Sequence, residues 1–220
     1  MAEDEWNDEL RNELLESVCG YMLGEVRLGK RDDEEIVFIA VDRLADEIPE
    51  EEVPLFEAHA IKQLPLVRQR HEAEQSDWPE ETDCDRLDEV QDELQEDGIV
   101  FWQASPCCNT CSQSELPDRL REIDEDDPGF AKECRGYAFF HDQSLPDELL
   151  ENSQLLVYLS YGWFPDKDDV SETEYAKQAL AIGEEVCDAL ESAGFRVDWT
   201  GDLSKKIGLH INWQRRTQLS

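Results

Sequence analysis

Five short apolar runs, all lying after residue 98, most constrain what this chain can fold into. They are 99–103, "RGYAFFH" (135–141), "QLLVYLSYG" (154–162), "FRVDW" (195–199) and "KKIGLHINW" (205–213). Each is rich in aromatic and β-branched residues and bounded by turn-forming ones, which is the pattern of a strand. The last two flank "TGDLS" and predict a hairpin. Helical spacing fills the intervals. Leu87, Val90 and Leu94 recur at three and four residues before Gly98, a helix is expected near 112–122, and "IDEDDPGF" reads as a loop. Tyr175, Ala179, Ile182, Val186, Leu190 and Ala193 line one face of a helix over 171–193, closed by Gly194. The order predicts an α+β fold: one mixed sheet of about five strands covered by helices.

Ahead of these runs the chain reads as helix. Trp6, Leu10, Leu14, Val18 and Tyr21 mark one over 5–23. The run Ile36–Val41 is short enough for a strand, but the acidic first turn at 32–35 and the stop near Pro49 favour a helix. Residues 51–75 read as a helix disturbed by Pro54 and Pro65. The expected organisation is an acidic, all-helical region over 1–77 and an α+β domain over 78–220. No internal repeat is visible.

Charge narrows the partners. The chain of 220 residues carries 55 acidic and 20 basic side chains, a net charge of −35. A field of this sign repels nucleic-acid phosphate and anionic lipid. It suits solubility, or attraction to a basic protein partner, and nothing spaces the carboxylates like phosphates. The basic end, with Arg215 and Arg216, could fold back on the acidic helices or meet those of a second copy. "MAEDEWNDEL" has no apolar signal region, and no window approaches the roughly 18 apolar residues of a membrane span. A soluble, cytoplasmic protein is expected. The seven cysteines are then thiols, metal ligands or redox groups.

Several stretches carry a family resemblance. "CCNTC" (107–111), "GYAFFH" (136–141) and the final "WQRR" (213–216), together with the segments around them over residues 78–216, resemble a bacterial family of uncharacterised proteins known only as a domain of unknown function. The resemblance implies that 78–216 is one globular unit. It implies no activity, substrate or cofactor.

The cysteine cluster is the most informative chemical feature. Cys108 and Cys111 form a C-x-x-C pair that can bite one tetrahedral zinc ion. Two further ligands are then needed, and Cys134, His141 and Cys84 are the candidates. Cys107 is a poor one, because adjacent side chains usually point apart. A strand followed by C-x-x-C at a helix start is also the layout of thiol-redox sites, with Cys108 as nucleophile and Cys111 as resolver. Against that layout, no proline directly precedes the strand at 154–160, Pro146 being the nearest. The third reading is a packed turn, its thiols acting as small apolar groups and Asn109, Thr110 and Ser112 capping the helix.

The remaining candidates are weaker. His141–Asp142 is an acid/base pair only if strand alternation does not separate the two side chains. His59, His71 and His210 have no partner at ligand spacing. "DEDDPG" (124–129) and "DKDD" (166–169) lack the order of a calcium loop, and the second run simply supplies negative charge to the following helix start. Tyr161, Trp163, Trp199 and Trp213 belong under helices on one sheet face, or form an exposed aromatic patch beside the two arginines. No phosphate loop, dinucleotide fingerprint, nucleophile elbow or zincin motif occurs. The expectation is a non-catalytic binding or interaction module, with a zinc-stabilised module or a thiol–disulfide protein as the alternatives.

Overall fold

The computed structural model describes residues 6–165 and 169–216. The run at 166–169 therefore lies, apart from Asp169, outside the described residues. The elements in chain order begin with helices α1 (Asp8–Leu28), α2 (Asp33–Asp42), α3 (Val53–Gln75) and α4 (Asp83–Glu96). Strand β1 (Ile99–Ser105), helices α5 (Asn109–Asp126) and α6 (Phe130–Glu133), and strand β2 (Gly136–His141) are next. Then come α7 (Leu145–Glu151), β3 (Gln154–Trp163), α8 (Glu172–Ser192), β4 (Arg196–Asp198) and β5 (Ile207–Asn212). The fold is α+β. None of the described helices is long and apolar enough to cross a membrane.

The chain forms two compact units. Among the described residues the first takes 6–80, 144–153 and 214–216, and the second takes 81–143, 154–165 and 169–213. In the first, the helix ends are written in the sequence. Asn7 accepts from the backbone N–H groups of Glu9 and Leu10, and Gly29 closes α1 in the left-handed conformation at φ 71°. Asp32 and Glu35 form a reciprocal capping box on α2, which leaves the six-residue apolar run no reason to extend as a strand. Val18, Met22, Ile36, Ala40, Phe56 and Ala60 meet in one core.

Pro54 and Pro65 disturb α3 less than expected. Pro54 sits in the first helical turn, where a missing N–H costs nothing. Pro65 lies inside the helix, yet the helix continues to Gln75. Pro65 is exposed, while Phe56, Ala60 and Leu64 on the other face are buried. Burial of that face holds the helix together across the lost hydrogen bond. Helix α7 also belongs to this unit and lies against α1, as does the start of the tail. The Arg215 side chain rests by Gly29, and Arg216 donates to the Pro79 carbonyl.

The second unit is a five-stranded sheet in the order β1-β2-β3-β5-β4. The β1–β2 pair is parallel and the other three pairs are antiparallel. Helix α8 covers β2 and β3, and Gly183 on it gives room to the Trp199 and Tyr161 rings. Trp163 meets Tyr175 of the same helix, and Trp213 is buried edge-on against Phe140. These four aromatics are therefore packing residues. Helix α4 starts at a second capping box, Thr82 with Asp85, and lies against β1. Helix α5 begins at Asn109, earlier than the spacing predicts, and runs to Asp126. The acidic loop after it is short because Asp124 turns back. Its Oδ1 accepts from the N–H groups of Gly129 and Ala131, so this carboxylate holds a turn and not a cation.

Candidate thiol site

Parallel strands end at the same edge of a sheet, so the segment leaving β1 and the segment leaving β2 must meet. Here that brings the cysteine cluster to His141 and Asp142. The Asp142 N–H donates to the Ser105 carbonyl at 2.9 Å, and Asp142 Oδ1 accepts from the Cys107 N–H at 3.1 Å. The Ser105 and Ser112 hydroxyls lie 2.7 Å apart and are buried. These bonds fasten the β1–α5 turn to the end of β2.

The turn itself is strained. Ala104 at φ 47° and Cys107 at φ 68° are non-glycine residues in the left-handed region. Each such residue costs on the order of 1–3 kcal/mol and persists only where its surroundings hold it. The left-handed Cys107 reverses the usual divergence of adjacent side chains. The sulfurs of Cys107, Cys108 and Cys111 all lie within 4.8 Å of one another. Among the described residues this is the one group of three or more Cys, His, Asp or Glu close enough to share an ion.

The three thiols are not equivalent. Cys107 is exposed, and Cys108 and Cys111 are half-exposed. Cys108 is the N-cap of α5, an 18-residue helix that no side-chain oxygen caps. Its sulfur lies at that helix start without closing a cap hydrogen bond. The backbone N–H of Cys111, then the Cys111 thiol and the N–H of Thr110, stabilise the thiolate and hold its pKa below the ordinary thiol value. The two sulfurs are 3.6 Å apart. Cys111 moves the opposite way, pushed up to about 11 by hydrogen bonding to the Cys107 and Cys108 sulfurs. The pair is therefore polarised, with Cys108 the thiol that ionises more readily and Cys111 the one that holds its proton.

One cation flanks the site. Lys206 Nζ lies 3.2 Å from Asn109 Oδ1, and the Ser160 hydroxyl donates to the same oxygen. Asn109 is thus a bridge to β3 and to the start of β5, not the expected helix cap. His141 is half-buried. Burial first, and then Lys206, lower its pKa against the opposing pull of Asp142. The imidazole is consequently neutral at physiological pH.

The other ligand candidates lie elsewhere. Cys134 donates to the Gly136 carbonyl at 3.3 Å beside Val100 and Phe130, and its thiol is pushed up by burial. Cys84 is buried on α4. Neither these two nor His141 joins the cluster of three. Two pairings are not visible at sequence spacing. His210 Nε2 lies 2.6 Å from Asp198 Oδ2 on the neighbouring strand, and Cys19 Sγ lies 3.6 Å from His59 Nε2. Cross-strand alternation in the predicted hairpin would have exposed the first. The second joins α1 to α3 and has no local signal.

Comparison with known proteins gives one match. A family model described as a domain of unknown function (DUF6891) matches residues 11–217, nearly the whole chain. It extends well beyond the 78–216 over which motifs are recognisable. No curated protein and no solved structure matches.

Proposed function

The chain belongs to the DUF6891 family, and from the geometry of its cysteine cluster we propose that it acts through thiol–disulfide exchange at Cys108 and Cys111. The observation that carries this reading is the polarised pair: a thiolate-prone Cys108 at a helix N-terminus, 3.6 Å from a protonated Cys111. The chemistry balances without a cofactor. The Cys108 thiolate attacks one sulfur of a substrate disulfide, forming a mixed disulfide and releasing the other sulfur as a thiolate. Cys111 gives its proton to the first substrate thiolate and attacks the Cys108 sulfur, breaking the mixed disulfide and releasing the second substrate sulfur as a thiolate. Two electrons pass to the substrate, and the chain is left with a Cys108–Cys111 disulfide.

A second reading is favoured by Cys107 alone. Three sulfurs within 4.8 Å can hold a thiophilic ion such as zinc, leaving a fourth position to a solvent or protein donor.

One experiment separates the two. The full chain is equilibrated in glutathione buffers of graded potential, alkylated, and mapped by mass spectrometry, with metal content measured on the reduced protein. The exchange reading expects a reversible Cys108–Cys111 disulfide. It also expects a glutathione adduct trapped on Cys108 in Cys111→Ser, and Cys108 alkylation that stays fast below the ordinary thiol pKa of about 8.5. Seven thiols that stay reduced throughout overturn it. About one metal ion per chain, masking the cluster until chelated, replaces it with the metal reading.

A further inference from the structure

Helices α2 and α3 leave an apolar groove between them, of about 620 Å³. Val37, Val41 and Leu64 form its floor. Two of its walls are unusually bare: Phe38 is 67% exposed and Ile61 is 64% exposed. Large apolar side chains gathered in one concave patch mark a binding surface, whereas single ones do not. Sequence accounts for the feature. Helix α2 is apolar nearly all round between Ile36 and Val41, but only Ile36, Ala40 and Val41 on it are fully buried. Pro65 lines the groove one turn after Ile61, where the proline has no N–H to give to the Ile61 carbonyl.

The rim says what would cover it. Asp33, Glu34, Asp42 and Glu57 line the groove, and no lysine or arginine does. Asp33 is engaged by Arg68. Glu34, Asp42 and Glu57 have no cationic partner among the described residues. An apolar trough edged by uncompensated carboxylates is complementary to an amphipathic helix with a bulky apolar face and lysine or arginine along its flanks. We propose that the α2–α3 groove docks a cationic amphipathic helix of a partner protein. The thiol chemistry of the other unit plays no part in this inference.

The probe is a fluorescein-labelled 18-residue peptide with leucines on one helical face and lysines on the other, titrated into the full chain by fluorescence anisotropy. The same pattern with glutamate for lysine, and a scrambled leucine–lysine sequence, serve as references. The helical lysine peptide is expected to bind tightest, and more weakly as salt rises. Phe38→Ala with Ile61→Ala should weaken it by roughly tenfold, since two apolar contacts are truncated at exposed positions. Glu34→Gln, Asp42→Asn and Glu57→Gln together should weaken it and flatten its salt dependence. Removing equal charge from α4 by Glu89→Gln, Asp92→Asn and Glu93→Gln should change it by less than about twofold. Equal losses from the two charge sets, no loss from the apolar pair, or equal binding of the scrambled peptide would reduce the effect to diffuse attraction and overturn the proposal. Sedimentation of the free chain covers the remaining occupant. A dimer dissolved by Phe38→Ala and Ile61→Ala would assign the groove to self-association instead.

Discussion

His71 shows how one buried side chain ties stability to pH. It is 1% exposed, with Trp78 edge-on at 5.4 Å and Glu74 at 3.6 Å. Burial lowers its pKa, and the nearby Glu74 only partly opposes this. The folded form thus binds a proton less readily than the unfolded chain, whose histidine titrates near 6.5. Stability from this group is present above that value and is lost as pH falls through it. Urea unfolding at pH 7.5 and 5.5 should show the wild type losing ground relative to His71→Phe at the lower pH. A constant difference between the two proteins would refute this. The Glu74 contact is an i,i+3 neighbour on α3, but the burial that decides the direction of the shift is set by helix packing and has no local signal.

At the scale of elements, the contact of α1 with α7 turns on Gly24. A Cβ there would lie 2.4 Å from the Pro146 carbonyl oxygen and 2.9 Å from its carbon. Backbone cannot yield as a flexible side chain does, so Gly24→Ala should destabilise the protein by about 1–3 kcal/mol. Gly20 on the same helix has no atom within 4 Å of the equivalent position. Gly20→Ala should stabilise by up to about 1 kcal/mol, the ordinary helix-propensity gain. Denaturation of both variants tests the pair, and equal effects would show that the α1–α7 approach is not close. Most elements were legible because their signals are local: capping boxes at Asp32 and Thr82, the aromatic run of β2, and period-two alternation in β3 and β5. Pro65 misled because burial of Phe56, Ala60 and Leu64 outweighs one missing hydrogen bond. Asn109 misled because its side chain is taken by Ser160 and Lys206, which are distant in sequence.

For the whole molecule the dominant quantity is the charge. With 55 acidic against 20 basic side chains, most carboxylates have no cation to meet. Ion pairs such as Arg43–Asp147 and Arg27–Glu74 are half-exposed and contribute little each. Self-repulsion outweighs them, and salt screens it over a length of about 10 Å at 0.1 M. The melting temperature should therefore rise as sodium chloride goes from low to about 0.5 M, where screening shortens further. A fall across that range in a thermal scan would mean that specific ion pairs dominate.

The α+β class, the helical front, the five strands and the grouping of three cysteines are all patterns within a short window and are legible residue by residue. Tertiary structure alone decided which thiols converge. Cys107 joins Cys108 and Cys111 because a left-handed backbone, held by Asp142 just past the end of the neighbouring strand, brings its sulfur to theirs. Cys134 and His141 stay apart although their residue types fit. Tertiary structure also decided that residues 144–153, between two strands of the sheet, belong with the helices. The physical reason is common to both. Local patterns record what a segment buries, but which surfaces meet depends on strand order and parallelism, and no window of sequence carries those.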